Sequence, residues 1–265
     1  MGKVKYYVKQ AFETFNQMEM RVLPGNVAFF FVMALIPMIT IVAVIVSYFS
    51  ISIETIIEFV QSIIPGEAGN LIVDVISGKG FDSSIGAFNV IALFVASNGT
   101  FAIINASNTL YQVHDSDTLK DRIKSVLLLF ILLLLIVFLI IVPMFGEKIL
   151  SLFGTGSMVE KIRLIYQIAR WPFTFFLIYF NLKLIYTIAP SKTIPSSSTT
   201  YGAMFTTVIW TIATAIFSYY LKYFANYNVI YGNLSSIIIL MMWLYIISYV
   251  FVMGIAINVT NLEER

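Results

Sequence analysis

Long apolar segments without charged residues recur along the chain, and the clearest of them covers residues 234–257. At about 1.5 Å per residue, a helix of this length crosses a hydrocarbon core of about 30 Å. More polar versions of the same pattern precede it. We therefore predict an all-α fold, a polytopic membrane helical bundle with six transmembrane helices, at about 27–49, 86–110, 125–145, 166–188, 202–224 and 234–257.

Two other segments combine apolar and charged positions at helical spacing, which is typical of amphipathic helices. Residues 3–21 are expected to lie on the membrane surface, or equally to pack on the cytoplasmic side of the bundle. Residues 52–78 carry too many carboxylates to cross a membrane, and they predict two short interfacial helices. Pro24-Gly25-Asn26 is expected to break the chain before the first span, and Pro37 to kink that span.

The connections between spans predict the topology. Residues 146–164 are expected to form a loop with a short helix, and residues 190–200 a Pro/Ser/Thr-rich loop. Six spans place both termini on one side, and ten of the 16 Lys and Arg residues fall on that side. Because cytoplasmic loops are enriched in these residues, both termini are expected in the cytoplasm, with residues 1–265 forming one integral membrane domain.

Composition supports the membrane assignment and excludes several kinds of chemistry. Hydrophobic residues make up 59% of the chain and charged residues 11%, whereas soluble domains average about 25% charged residues. A net charge of +2 gives no reason to expect a nucleic-acid partner. The absence of Cys and the single His exclude disulfides, thiolate catalysis and multi-histidine metal sites. We therefore expect no enzyme activity, no cofactor and no metal.

The second span is the most polar, and it carries the first candidate substrate-pathway residues, Asn98, Asn105 and Asn108. At 100° per residue they share an arc of about 100° with Ser97 and Gln112. Amides in hydrocarbon cost free energy unless they are paired, so this face is expected to look into the bundle or a water-filled cavity. The alternative is that these side chains only join helices through hydrogen bonds.

The fifth and sixth spans supply the other candidate pathway residues, Thr207, Thr211, Tyr245 and Tyr249. Together with the second span they would line a groove for a polar headgroup. Small hydroxyl residues also let helices approach closely, so packing is the competing interpretation for the fifth span.

Basic residues near the span ends are candidates for binding a lipid headgroup or phosphate. Arg163 and Arg170 precede or open the fourth span on the predicted outer side, and Lys183 lies near its inner end. Arg offers a bidentate fork for phosphate, but interfacial anchoring and snorkelling are the commoner roles.

One loop gathers possible catalytic groups. His114, Asp115, Asp117 and Asp121 lie between the second and third spans, among Lys120, Arg122 and Lys124. A carboxylate–histidine site is conceivable, but the neighbouring cations favour a solvated loop of mixed charge.

Four sequence blocks are similar to those of a known family of bacterial membrane proteins. They are VAFFFVMALIPMITIV with its central Pro, the Asn-rich ASNGTFAIINASNTLYQV, LIYTIAP followed by a Gly-Ala pair and a Trp, and YGNLSSIIILMMWLYIISYVFVMGIAIN. Through them the chain resembles the YihY/BrkB family, formerly labelled ribonuclease BN-like. The resemblance implies a protein of the bacterial cytoplasmic (inner) membrane with six spans and both termini in the cytoplasm, and a role connected with the cell envelope.

Two functions are weighed on this basis. The first is a transporter or flippase-like protein for an anionic lipid or envelope precursor, with membrane lipids as its partners. The second is a non-catalytic structural or assembly factor of the envelope, which would act with a protein partner; self-association is also open. A channel is disfavoured because no filter-like loop is visible. One His and no Cys argue against metal-dependent RNA hydrolysis.

Overall fold

The computed structural model describes residues 18–47, 57, 86–152, 157–223 and 231–263, and every regular element in these ranges is helical. The prediction of an all-helical fold is therefore confirmed. A short 3-10 helix, Gly232–Leu234, precedes the last of the six long helices described. These are α1 (Met18–Ser47), α2 (Gly86–Leu110), α3 (Thr118–Leu152), α4 (Ser157–Ile188), α5 (Thr200–Tyr223) and α6 (Ser235–Glu263).

Four of the described helices are long and apolar enough to cross a membrane. The qualifying segments are Met18–Leu35 in α1, Thr118–Leu139 in α3, Thr200–Tyr223 in α5 and Ser235–Leu262 in α6. In α4 the apolar part, Pro172–Ile188, is shorter. The count of six spans and the cytoplasmic location of both termini stay predictions.

The six helices form a ring in chain order. Each helix packs against the next one along the chain, and α6 packs against α1, which closes the ring. Contacts of α2 with α6 and of α1 with α3 add to this arrangement. Hydrogen bonds from Asn108 to Asp121 and from Gly202 to Asn258 show that α2 and α6 end where α3 and α5 begin. We call this side of the ring the Asp121 end; the charge count predicts that it faces the cytoplasm.

Small residues bring α5 and α6 into backbone contact. A Cβ on Gly202 would overlap the carbonyl oxygen of Gly254 and the side chain of Asn258. A Cβ on Gly254 would overlap the hydroxyls of Thr206 and Tyr186. In membranes such close approach replaces the hydrophobic effect as a source of helix association. The pair of glycines therefore fixes how α5 and α6 meet near the Asp121 end.

Polar bonds accompany this contact. Asn258 Oδ1 accepts the Gly202 N–H at 2.8 Å, and the Tyr186 hydroxyl lies 2.7 Å from Thr206 Oγ1. The Tyr186 hydroxyl also donates to the Phe251 carbonyl at 2.9 Å, so α4, α5 and α6 are joined at one level.

The predicted break at Pro24-Gly25-Asn26 is wrong, because α1 runs through these residues from Met18. A proline inside a helix removes one backbone hydrogen bond. Here Met20 and Val27, on either side of Pro24, are fully buried, so packing holds both halves of the helix in place. Pro37 also lies within α1, and the kink expected there stays a prediction.

The loop predicted at 146–164 is also wrong. Its first residues extend α3 to Leu152, and α4 already begins at Ser157. Residues 153–156 lie outside the described part. The amphipathic segments 3–21 and 52–78 lie outside it too, apart from residue 57 and the beginning of α1.

Candidate functional site

One side of α2 is exposed and carries polar and aromatic residues at helical spacing. We call Phe94, Asn98, Phe101, Asn105 and Thr109 the α2 stripe; they lie three or four residues apart and so share one side of the helix. Phe94 is 60% exposed, Asn105 and Thr109 are exposed, and the other two are half-buried. The rest of α2 packs against α1, α3 and α6, so the stripe forms its open side.

Residues expected on a single polar face of α2 therefore lie in different environments. Asn105 is exposed, Asn98 is half-buried, and Ser97 and Asn108 are buried. Gln112 lies beyond the helix end with a φ of 54°.

The end of α2 is a Schellman motif. The N–H of Val113 bonds to the Asn108 carbonyl at 2.9 Å, and the N–H of Gln112 to the Thr109 carbonyl at 3.1 Å. Gln112 adopts the left-handed conformation that this motif requires, so it cannot continue the helical arc.

Arg122 of α3 lies across the α2 stripe. Its Nη1 donates to Asn98 Oδ1 at 2.8 Å and its Nη2 to the Phe94 carbonyl at 3.0 Å. The guanidinium carbon is 4.0 Å from the centroid of the Phe94 ring and 5.6 Å from that of Phe101. Neutral groups therefore fix the plane and direction of this cation.

Within the described ranges, no carboxylate pairs with Arg122. The ion pairs found there join Lys120 to Asp117 and Lys124 to Asp121. Arg122 belongs to the part of α3 that is apolar enough to cross a membrane. Arg122 lies four residues after the start of α3, and its side chain reaches Asn98, which lies about 18 Å of helix axis before Leu110.

The register of α2 on α3 keeps Arg122 opposite Asn98. The buried hydroxyl of Thr100 donates to the Ser125 carbonyl at 2.6 Å, and the Ser125 hydroxyl donates to the Arg122 carbonyl at 2.7 Å. A slip by one turn would break both the buried hydroxyl bond and the guanidinium bond.

A second polar group, which we call the Asp121 cluster, is buried where α2 ends, α3 begins and α4 gives way to the next loop. Asn108 Nδ2 donates to Asp121 Oδ2 at 3.1 Å and to Ser191 Oγ at 3.0 Å. The Ser191 N–H donates to Asn108 Oδ1 at 2.7 Å, and its hydroxyl donates to Asp121 Oδ1 at 2.5 Å. Lys124 Nζ reaches Ser191 Oγ at 3.3 Å, the Pro190 carbonyl at 3.1 Å and Asp121 Oδ1 at 3.7 Å.

The expectation that Asp121 belongs to a solvated loop is wrong. Asp121 is 3% exposed because α3 begins at Thr118 and the segment around Ser191 covers the carboxylate. His114, Asp115 and Asp117 are exposed. Among the described residues, no group of three or more His, Cys, Asp or Glu could hold a metal ion. The Asp121 cluster is fully occupied with joining three segments of the fold.

The candidate pathway residues of the fifth and sixth spans lie on α5 and α6 and differ in exposure. Thr207 is buried and donates to the Ala203 carbonyl, while Thr211 is exposed and donates to the Thr207 carbonyl. In the described structure α5 packs mainly on α4 and α6. On α6, Tyr245 is 43% exposed and Tyr249 half-buried, with ring centroids 6.1 Å apart. The groove expected between the three spans stays a prediction.

The proposed basic residues are all on α4. Arg163 and Arg170 lie within this helix, and their side chains lie outside the described part. Lys183 is half-buried, one turn before the helix end. Their roles at a headgroup or phosphate stay predictions.

Arg122, Lys124 and Ser191 were missing from the sequence-based set of site residues. The first two were assigned to a loop because the third span was taken to begin at residue 125. A signal was present: Asp117 is an N-cap, whose Oδ1 accepts the N–H groups of Leu119 at 3.0 Å and Lys120 at 3.3 Å. The hydrogen bond from the Lys120 backbone N–H, followed by that from the Lys120 side chain, lowers the pKa of this carboxyl below its usual value.

Comparisons with known proteins cover almost the whole chain. A family model described as virulence factor BrkB matches residues 11–265. The ribonuclease-like protein YfkH of Bacillus subtilis (strain 168) is 27% identical over 258 residues, which are 95% of this chain and 94% of YfkH. A UPF0761 membrane protein of Coxiella burnetii (strain Dugway 5J108-111) is 30% identical over 112 residues, 39% of this chain and 40% of the relative. No solved structure matches the chain.

Proposed function

The chain belongs to the BrkB family of membrane proteins, and we propose that it moves an anionic lipid or envelope precursor between the leaflets of the bacterial cytoplasmic membrane. The α2 stripe is the observation that carries this proposal. It places amides and a hydroxyl on the open side of a helix whose neighbours are long and apolar. The description ribonuclease-like is that of YfkH, and we do not extend it to this chain.

The headgroup is the part of a lipid that resists crossing the bilayer. A lipid that changes leaflet must take a polar headgroup through hydrocarbon, where unpaired polar groups cost several kcal/mol each. An exposed row of side-chain amides and hydroxyls offers replacement hydrogen bonds along the way, while the acyl chains stay in the bilayer. Asn105 suits this role because its amide makes no hydrogen bond to the described part of the chain and is exposed.

A purely structural role is the second candidate, and the other amides favour it. Asn181 Nδ2 donates to the Ile131 carbonyl at 3.0 Å, and Asn261 Nδ2 donates to the Ser198 carbonyl at 3.0 Å. Asn258 holds Gly202, and Asn108 belongs to the Asp121 cluster. These amides join elements of the fold, as an assembly factor needs. The exposed Asn105 is the residue that separates the two candidates.

Transbilayer movement of lipid tests the proposal. The protein is reconstituted in liposomes with a fluorescent anionic lipid, and the fraction protected from a membrane-impermeant quencher is followed with time. We expect faster exchange than in empty liposomes, and a rate lowered at least about twofold by Asn105→Leu, because one headgroup hydrogen bond is worth about 0.5–1.5 kcal/mol.

Ser218→Leu is the matched control, since Ser218 is an exposed polar residue of α5 away from the α2 stripe. Its exchange rate is expected to equal that of the wild type. Rates no faster than in empty liposomes, with several anionic lipids tried, would contradict lipid movement and leave the structural role.

A further inference from the structure

We propose that Arg122, held by Asn98 and Phe94, is the binding site for the phosphate of an anionic lipid headgroup. This inference rests on the proposed function, because it assigns the group on the α2 stripe that receives the charged part of the lipid. It assigns phosphate binding to a residue that lay outside the set predicted from sequence.

The charge of the site favours an anionic ligand. Cations within membrane-spanning segments pair with a counter-charge or line a polar cavity. The described carboxylates Asp117 and Asp121 are engaged with Lys120 and Lys124 instead. An anion that arrives with the lipid supplies the missing charge.

The donor geometry of Arg122 also suits a phosphate. A guanidinium has five N–H donors in a planar fork, and the described bonds to Asn98 and Phe94 use two of them. The Phe94 ring against one face of the guanidinium fixes its plane. The remaining donors match the bidentate geometry of a phosphate.

Asn98 adds donors of its own. Its Oδ1 accepts from Arg122, which leaves the amide nitrogen with two N–H groups that donate and do not accept. The amide N–H groups of Asn98 and the guanidinium of Arg122 therefore favour an anion over a cation, on a face where both side chains are half-buried.

Lipid binding can be measured separately from lipid movement. Native mass spectrometry of the detergent-solubilised full chain gives the Kd of the first bound lipid for phosphatidylglycerol and for phosphatidylcholine. We expect the wild type to prefer phosphatidylglycerol, and Arg122→Gln to weaken that binding at least about tenfold while leaving phosphatidylcholine unchanged. Lys120→Gln, which removes an exposed cation two residues away, is the matched control and keeps the preference.

Asn98→Asp is a second variant, which tests the site even if Arg122→Gln fails to fold. A carboxylate at this position would pair with Arg122 within the protein, so the melting temperature is expected to rise or hold while phosphatidylglycerol binding falls at least about tenfold. A merely structural Arg122 would give the rise in stability without the loss of binding.

Three results would overturn the site. They are equal affinity of wild type and Asn98→Asp for phosphatidylglycerol, binding of inorganic phosphate in place of the lipid, and an Arg122-dependent dimer in place of a lipid adduct. Selective lipid binding without transbilayer movement would leave this site standing and contradict the proposed function. Transbilayer lipid movement that Asn98→Asp does not slow, together with no preference for phosphatidylglycerol, would contradict this site and leave the proposed function standing.

Discussion

A buried polar atom lowers the stability of the fold unless it has a hydrogen-bond partner. The hydroxyl of Tyr186 has two close partners, Thr206 and the Phe251 carbonyl. The hydroxyl of Tyr111, just past the end of α2, is buried and has no hydrogen-bond partner among the described residues. Burial also raises the pKa of Tyr111 to about 12.

Tyr111→Phe is therefore expected to raise the free energy of unfolding by about 1 kcal/mol, because it removes a buried hydroxyl without a partner. Tyr186→Phe, the matched control, should lower it by a similar amount, because two hydrogen bonds are lost. Unfolding of the purified protein, followed by circular dichroism in a denaturing detergent, measures both. A lower stability for Tyr111→Phe would mean that this hydroxyl has a partner in the membrane.

The same residue gives a dependence on pH. Folding raises the pKa of Tyr111 from 10.0 to about 12, so the protonated form is favoured in the folded state. The free energy of unfolding is therefore unaffected by this group below pH 10 and falls as the pH rises from 10 towards 12, because the phenolate forms more readily in the unfolded chain. Tyr111→Phe should remove this part of the alkaline loss.

Sequence reasoning located polar residues better than it located their surroundings. The sequence showed that Asn98 and Asn105 share one side of α2. Whether that side is covered depends on which helices pack against it, and the sequence of one helix does not determine its neighbours. Asp121 was placed in solvent for a related reason. The segment that buries it, around Ser191, is 70 residues away in sequence.

Helix pairs are the next level at which the structure makes a prediction, and α5 with α6 is the clearest case. Gly202→Ala is expected to lower the free energy of unfolding by about 1–3 kcal/mol or more, because its Cβ would meet backbone and the fixed side chain of Asn258. Folding yield and melting temperature measure the effect.

Gly25→Ala in α1 is the matched control for this substitution. The nearest atom to its added Cβ would be in the Tyr245 ring at 3.9 Å, an ordinary contact. Alanine is the better helix former by about 1 kcal/mol, so this variant should be as stable as the wild type or more stable. Equal stability of both variants would show that α5 and α6 can separate without loss.

Helix existence could be predicted from apolar length, and the predicted bounds of α2 agree with those observed. Helix ends were harder. Pro24 was taken as a break because proline is a strong local signal, yet tertiary packing of Met20 and Val27 outweighs one lost hydrogen bond. The loop at 146–164 failed because polar residues at the end of a membrane helix resemble a loop.

For the whole molecule, the prediction concerns which side of the membrane the Asp121 end faces. The chain contains no Cys, so single cysteines report their own position. His114→Cys, in the exposed loop at the Asp121 end, should react with a membrane-impermeant maleimide only after permeabilisation of cells. Leu234→Cys, exposed at the opposite end, should react in intact cells.

The unmodified chain is the control and should not be labelled. Labelling of His114→Cys in intact cells, with protection of Leu234→Cys, would place both termini outside and contradict the charge count. The phosphate site at Arg122 would then belong to a lipid that approaches from the outer leaflet.

Ring closure has a consequence for how the protein is made. Helices that are neighbours in sequence can pair as soon as both have been synthesised, but α1 can meet α6 only after the other five described helices have been made. Until then, the surfaces of α1 and α5 that α6 will cover face lipid or a chaperone. Insertion of α6 therefore turns an open row of helices into a closed bundle. Gly254 and Asn258 form the contact with α5 that is made in this last step.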